Sequence, residues 1–394
     1  MVLKRWLTAF AATALLAACS SSDDGPRHAE LQPITTTVEG RIEWQTRVGQ
    51  GIQQHYSRLR PAVQDDKVFV ADRHGAIAAL NVADGRQIWR NEIGGRRGIL
   101  NRWFKGEPAR ISGLTVAGPL LFVGTENGKV FAFNNESGEL EWEQSVPGEV
   151  LSAPAVGDGR VVVHLGNGRV VSMSARTGGI QWQHEDDVSL LSLRGTSQPV
   201  ISSGGVMFGG STGKAVVLIS QTGQLAWEER IATPTGSTEL ERIVDADGTP
   251  LIVGGTMYLA AQNGELVALD LRTGEALWKR DYGAWRSPVQ VQNRIVLVDQ
   301  QSNLISVDRN NGLEQWRNTD LFLRSVTEPA TLGSYLVAAD RFGYMHWFDR
   351  SNGQLVGRLE LNGDAVRSAP VLAGERIIVQ DAAGRIYSVR QSER

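Results

Sequence analysis

The sequence predicts an all-β fold, an eight-bladed β-propeller of four-stranded antiparallel blades closed by its own N-terminal strand. Two observations carry the prediction: a glycine-to-tryptophan phrase that recurs at near-regular intervals, and two chain ends that each hold the part of a blade the other lacks. The phrase appears as ADGRQIW ending at Trp89, ESGELEW at Trp142, RTGGIQW at Trp182, QTGQLAW at Trp227, RTGEALW at Trp278 and NNGLEQW at Trp316. VEGRIEW, ending at Trp44, and SNGQLVG, with Gly357 in place of tryptophan, are less regular copies. Consecutive end points lie 45, 53, 40, 45, 51, 38 and 41 residues apart, the period of propellers and solenoids. A closed array of such units can occupy all 394 residues as a single body.

Within each unit the first strand is short, apolar and often preceded by proline, as in RPAV (60–63), SAPAV (152–156), RSPVQV (286–291) and SAPVL (368–372). A second strand follows a polar turn: KVFVAD (67–72), PLLFVGT (119–125), RVVVHL (160–165) and RIVLVD (294–299). Tight turns such as His74-Gly75, Asn127-Gly128, Asn167-Gly168 and Asn263-Gly264 then give hairpins. The third strand, for example GELVALD (264–270), leads through a Thr-Gly turn into the fourth, which carries the tryptophan. Four such strands make one propeller blade.

Third strands fall near Ala79, Phe131, Val171, Val217, Ala268, Ser306, His346 and Tyr387, so there are eight blades. The last unit stops after its third strand, whereas residues 40–46 form a fourth strand with no preceding three. Pairing the two removes an open sheet edge at the seam. Each indole is expected to cement neighbouring blades, contributing roughly 2 to 3 kcal/mol per buried ring. The joint at Gly357, which lacks one, is expected to be the weakest.

MVLKRWLTAFAATALLAAC opens with Lys4 and Arg5, followed by a mostly apolar run from Trp6 to Ala18. Those thirteen residues would make a helix only about 20 Å long, short of a hydrocarbon core. Residues 1–18 therefore read as a signal peptide. Leu16-Ala17-Ala18-Cys19 resembles the bacterial lipobox, which makes Cys19 the lipidated mature N-terminus. Ser20, and not an aspartate that would resemble an inner-membrane retention signal, points to the outer membrane, with the protein facing the periplasm. Residues 19–39 read as a flexible tether, and 40–394 as one propeller.

The formal charge is −3, or −5 once Lys4 and Arg5 are removed with the signal peptide, so no basic field advertises nucleic acid. Cys19 is the only cysteine, which excludes an intramolecular disulfide and any multi-cysteine metal site. The six histidines, at 28, 55, 74, 164, 184 and 346, lack tight metal-ligand spacing. ISSGG (201–205) and VGGT (253–256) are glycine-rich but precede no helix, so they do not read as phosphate cradles. DADG (245–248) lacks the later acidic positions of a calcium loop. No catalytic, metal or cofactor site is expected.

In a four-stranded blade the crossover to the next blade shares a face with the loop between strands two and three. Three long crossovers therefore decorate one face: 91–110, basic and containing Trp103 and Phe104; 183–197; and 228–250. The second and third belong to consecutive blades, which sets Leu190, Leu191, Leu193 and Arg194 beside Asp245 and Asp247. From these residues alone the leucines either pack onto their own propeller or form a binding patch, since apolar residues flanked by arginine match an interaction hot spot.

The repeats resemble the tryptophan-docking repeats of pyrroloquinoline-quinone dehydrogenases, but that family's adjacent cysteines are impossible here. The lipobox, the eight repeats, LSLRG (191–195), TGSTELERIVDADGTP (235–250) and ALDLRTGEALWKR (268–280) together resemble the BamB family, propeller lipoproteins of the outer-membrane β-barrel assembly machinery. The resemblance implies a non-enzymatic scaffold that binds the POTRA domains of BamA and assists insertion of outer-membrane proteins, with possible contact to nascent barrels. It places the BamA contact on Leu191, Leu193 and Arg194, with Asp245 and Asp247 assisting, and the lipid on Cys19. Alternatives are a periplasmic quinoprotein-like dehydrogenase, or a carbohydrate-binding propeller using Trp103 and Trp285.

Overall fold

A computed structural model describes residues 27–94, 109–189, 191, 194–235, 237–238 and 241–394. Among these, every strand belongs to one of eight four-stranded antiparallel sheets. Seven blades are consecutive in the chain. Blade 5 serves as the pattern: Leu251–Val253, Thr256–Ala260, Leu266–Asp270 and Ala276–Arg280 pair in that order. First strands begin directly after a proline in most blades, as Ala62–Gln64 follows Pro61 and Val371–Ala373 follows Pro370. This is where the sequence placed them, since proline has no N–H for a ladder and precedes the strand.

Second and third strands are buried almost throughout, as in Arg160–His164 and Arg169–Ser174. Fourth strands alternate exposed and buried, as in Ile180–Glu185, since they form the outer edge and only one face meets the neighbouring blade. An Asp closing a second strand holds the next turn: Asp72 Oδ1 accepts from the N–H groups of His74 and Ala76 at 3.0 and 2.8 Å. Asp299, Asp340 and Asp381 repeat this arrangement.

The wheel closes as the chain ends predicted. Val38–Arg47 pairs antiparallel with Arg385–Glu393, from Val38 opposite Glu393 to Arg47 opposite Arg385, and completes blade 8. Residues ahead of this strand are also engaged. Ala29 N–H donates to Phe322 O and Thr37 N–H to Val356 O, each at 2.9 Å, while Leu31 and Ile34 pack on the core around Trp316 and Phe348. The outer part of the expected tether thus lies along blade 7.

Each blade joint is an indole laid on a glycine of the next blade. A Cβ on Gly274 would sit 2.8 Å from the Trp227 ring, and one on Gly138 2.7 Å from Trp89; both glycines also have positive φ, 77° and 75°. The indole N–H donates to a carbonyl of the same neighbour: Trp44 to Val82, Trp89 to Asn135, Trp142 to Ala175, Trp182 to Ser220, Trp227 to Leu271 and Trp278 to Arg309, at 2.8–3.0 Å. Trp316 Nε1 finds no acceptor among the described residues; the matching carbonyl, Arg350 O, accepts from Arg294 Nη1. A β-bulge precedes each tryptophan and sets it opposite a mostly small third-strand residue, such as Ala132, Ser172 or Ala268.

Blade 7 inverts this pair. Gly357 stands opposite Trp347 on the third strand, and it is Trp347, fully buried, that packs on Gly40 of blade 8. Its Nε1 donates to Gln391 Oε1 at 3.0 Å. The joint expected to be the weakest for want of an indole therefore has one, supplied from the other strand. Trp347→Ala should destabilise the protein by about 3–5 kcal/mol in chemical denaturation followed by circular dichroism. Gly357→Trp should also destabilise it, because a Cβ there already meets Val38 O at 2.5 Å. Unchanged stability in Trp347→Ala would show that the joint does not rest on this ring.

Candidate functional site

The crossover from blade 3 to blade 4, residues 186–199, stands on buried polar anchors. Thr196 Oγ1 donates to His164 O at 3.2 Å, and Ser197 Oγ to Gly248 O at 2.8 Å. His164, itself buried, contacts Ser197 O through Nδ1 at 3.3 Å. Burial pushes the His164 pKa down to about 4, the hydrogen bond to Ser197 opposing only part of that shift. The imidazole is neutral near pH 7, and its Nδ1–H is then the donor to that carbonyl. Above these anchors Leu191 is 42% exposed.

Arg194 is half exposed and reaches two carboxylates on the neighbouring blade 2 side. Its Nη2 lies 2.9 Å from Glu126 Oε2 and its Nη1 3.3 Å from Glu149 Oε2. Glu126, nearly buried in the turn between strands two and three of blade 2, is also held by Arg73 of blade 1 at 2.6 Å. One carboxylate thus fixes two guanidiniums from crossovers and turns two blades apart. This restricts the conformations Arg194 can adopt while leaving donors free for an external acceptor.

The aspartates are placed differently from expectation. Asp245 and Asp247 are 1% and 5% exposed, in a segment pinned by Gln262 N–H on Asp245 O and by Ala246 N–H on Gly210 O. Asp247 Oδ2 lies 3.9 Å from Arg58 Nη2, and Arg58 Nη1 donates to Asp247 O at 2.5 Å. Burial raises the Asp247 pKa, with Arg58 opposing. The reason is local sequence: Ile243, Val244 and Ala246 interleave the acids and draw the whole segment into the core. Arg194 and Asp247 nonetheless share a face, since a Cβ on the adjoining Gly195 would sit 2.5 Å from Asp247 Oδ2. The carboxylates that meet Arg194, Glu126 and Glu149, were not anticipated, because they come from another blade.

Leu190, Leu193, Cys19, Trp103 and Phe104 lie outside the described residues. Trp285, suspected of binding sugar, has its ring beside two guanidiniums, Arg286 at 4.2 Å and Arg58 at 5.5 Å. GGSTG (209–213), which has the spacing of a hydrolase nucleophile elbow, is the tight turn between strands two and three of blade 4. No helix follows it, and Ser211 Oγ accepts from Ser189 N–H at 3.0 Å. ISSGG and VGGT are likewise hairpin turns. Among the described residues no three His, Cys, Asp or Glu side chains converge as metal ligands.

The family model of outer membrane protein assembly factor BamB matches residues 21–104 and 102–318. The BamB of Alteromonas naphthalenivorans is 40% identical across 97% of this chain and 95% of its own. That of Escherichia coli K12 is 36% identical across 95% of this chain and 96% of its own. The crystal structure of BamB from Moraxella catarrhalis superposes with a TM-score of 0.78 at 22% identity, covering 89% of this chain and 99% of that one. A europium-containing methanol dehydrogenase superposes with a TM-score of 0.67 at 13% identity, over 89% of this chain and 93% of that one, a likeness of fold alone.

The buried His164 makes the crossover's footing sensitive to acid. With a folded pKa near 4 against 6.5 for the free side chain, its contribution to stability is complete above pH 6.5 and is lost as pH falls from there toward 4. The loss is up to roughly 3 kcal/mol. His164→Asn should flatten that part of the stability profile, read as the difference from wild type in denaturant midpoints between pH 4 and 7.5. Parallel profiles would contradict the assignment.

Proposed function

The chain belongs to the BamB family of outer membrane protein assembly factors, and from that premise we propose how its geometry serves the BAM complex. It acts as a scaffold, without chemistry of its own, that docks on the periplasmic POTRA domains of BamA through the crossover between blades 3 and 4. Leu191 and Leu193 supply the apolar contact. Arg194 supplies a charge-assisted hydrogen bond to a carboxylate or carbonyl of the partner. Asp245 and Asp247 assist from beneath, holding the neighbouring crossover and Arg58 in place, and do not touch the partner.

The observation that carries this reading is the combination at Arg194. A half-exposed guanidinium held by two carboxylates stands beside an exposed leucine, within the LSLRG stretch that the sequence singles out. Pre-organisation of this kind lowers the ordering cost of binding. Residues 1–18 serve as a signal peptide and Cys19 carries the lipid, tethering the propeller to the outer membrane on its periplasmic side.

Arg194→Ala should weaken capture of the BamA periplasmic region by about tenfold or more. Arg73 stays on Glu126 in that variant, so the thermal midpoint should move by no more than about 2 °C. Asp247→Ala should behave in the opposite way, lowering the midpoint by leaving Arg58 without its carboxylate. Undiminished capture by an Arg194→Ala, Leu193→Ala double variant would show that the docking surface lies elsewhere.

A further inference from the structure

The residues that lead into the first strands of blades 1 and 3 to 8 converge on the propeller axis, and there the charges do not balance. A cavity of about 40 Å³ lies among them, lined by four arginines, Arg58 and Arg60 ahead of blade 1, Arg286 ahead of blade 6 and Arg367 ahead of blade 8. Among the described residues one carboxylate lines it, Glu328 ahead of blade 7. Glu328 is engaged: its Oε2 lies 3.3 Å from Arg286 Nη1, and its Oε1 accepts from Ser287 N–H at 3.4 Å. Arg58 reaches across the axis to Asp247 of the opposite crossover. Arg60 and Arg367 have no carboxylate within 4.0 Å among the described residues, and Arg367 Nε is buried without a hydrogen-bond partner.

Four guanidiniums against Glu328 and Asp247 leave two without a carboxylate of their own among the described residues, the exposed Arg60 at the mouth and the half-buried Arg367. Like charges so placed repel, and a buried donor without an acceptor costs free energy. The surrounding groups add neutral donors, Ser152, Thr249, Ser287 and Ser368 among them. The Trp285 ring lies 4.2 Å from the Arg286 guanidinium and 5.5 Å from that of Arg58, close enough to attract both cations. A single water needs about 10–15 Å³ of such space, so the cavity has room for one small polyatomic ion. We propose that the axial cavity is a binding site for one free tetrahedral oxyanion of phosphate or sulfate size, held by Arg60 and Arg367 with the cavity's hydroxyl donors. Its mouth opens on the crossover face, close to Asp247 and therefore to the Arg194 loop.

The test is isothermal titration calorimetry of the full chain with sodium phosphate, in chloride buffers of constant ionic strength. A saturable one-to-one isotherm is expected. R60Q and R367Q should each weaken it by about tenfold or more, while R60K and R367K, which keep the charge, should retain most of the affinity. Glu328→Gln should tighten it, because the competing carboxylate is removed. Absence of saturable heat would overturn the proposal. So would unaltered binding in R367Q, or weaker binding in Glu328→Gln with unchanged near-ultraviolet circular dichroism. Acetate binding as tightly as phosphate would overturn the tetrahedral class.

Discussion

Closure of the ring is the constraint on which everything else in this molecule rests. A propeller blade touches only its two neighbours, so an open array would end in two unsatisfied faces and leave its axis undefined. Pairing Val38–Arg47 with the last strand of the chain removes both ends at once. It also sets the distances across the axis. Arg58 of blade 1 can meet Asp247 ahead of blade 5 only because the wheel is shut, and the same closure brings guanidiniums from blades 1, 6 and 8 to one cavity.

Between blades the working unit is an aromatic plate on a glycine, with the indole N–H tied to the neighbour's backbone. The glycine does two things there, adopting a left-handed turn and leaving room for the ring. The inverted pair in blade 7 shows which part of this is essential. Strand identity can change, since Trp347 and Gly357 exchange places across the ladder. The close approach to a glycine does not change, for Trp347 lies on Gly40 as Trp44 lies on Gly85. A blade joint is thus specified by the pair and not by one position in the repeat.

The fold was legible because it is written in local patterns that repeat: turn glycines, period-two strands and a tryptophan at fixed spacing. The seam was legible for the same reason, each terminus being a recognisable fragment. What escaped the sequence is what depends on contacts between distant blades. Asp245 and Asp247 look like surface acids in a polar crossover, yet the flanking Ile243, Val244 and Ala246 draw them inside; alternation over those five residues was the available signal. Glu126 and Glu149 could not be paired with Arg194 from spacing, as nothing local links residues 126 and 194. The axial arginines were unremarked because each is a single residue near a proline. Aligning the repeats on that proline would have shown that three of the eight lead-ins carry the cations. The stretch near Leu31 and Ile34 reads as polar tether, but two apolar residues at that spacing were enough to seat it on blade 7.

The most direct test of closure is native-state hydrogen exchange read by mass spectrometry on the seam. If the two ends share a sheet as an integral blade, amides of 38–47 and 385–393 are protected to the same degree as those of an internal pair such as 169–174 with 180–185. If the seam amides exchange with the fastest class while the internal blades stay protected, the ring is not held shut by its N-terminal strand, and the geometry of the axis and of the crossover face loses its foundation.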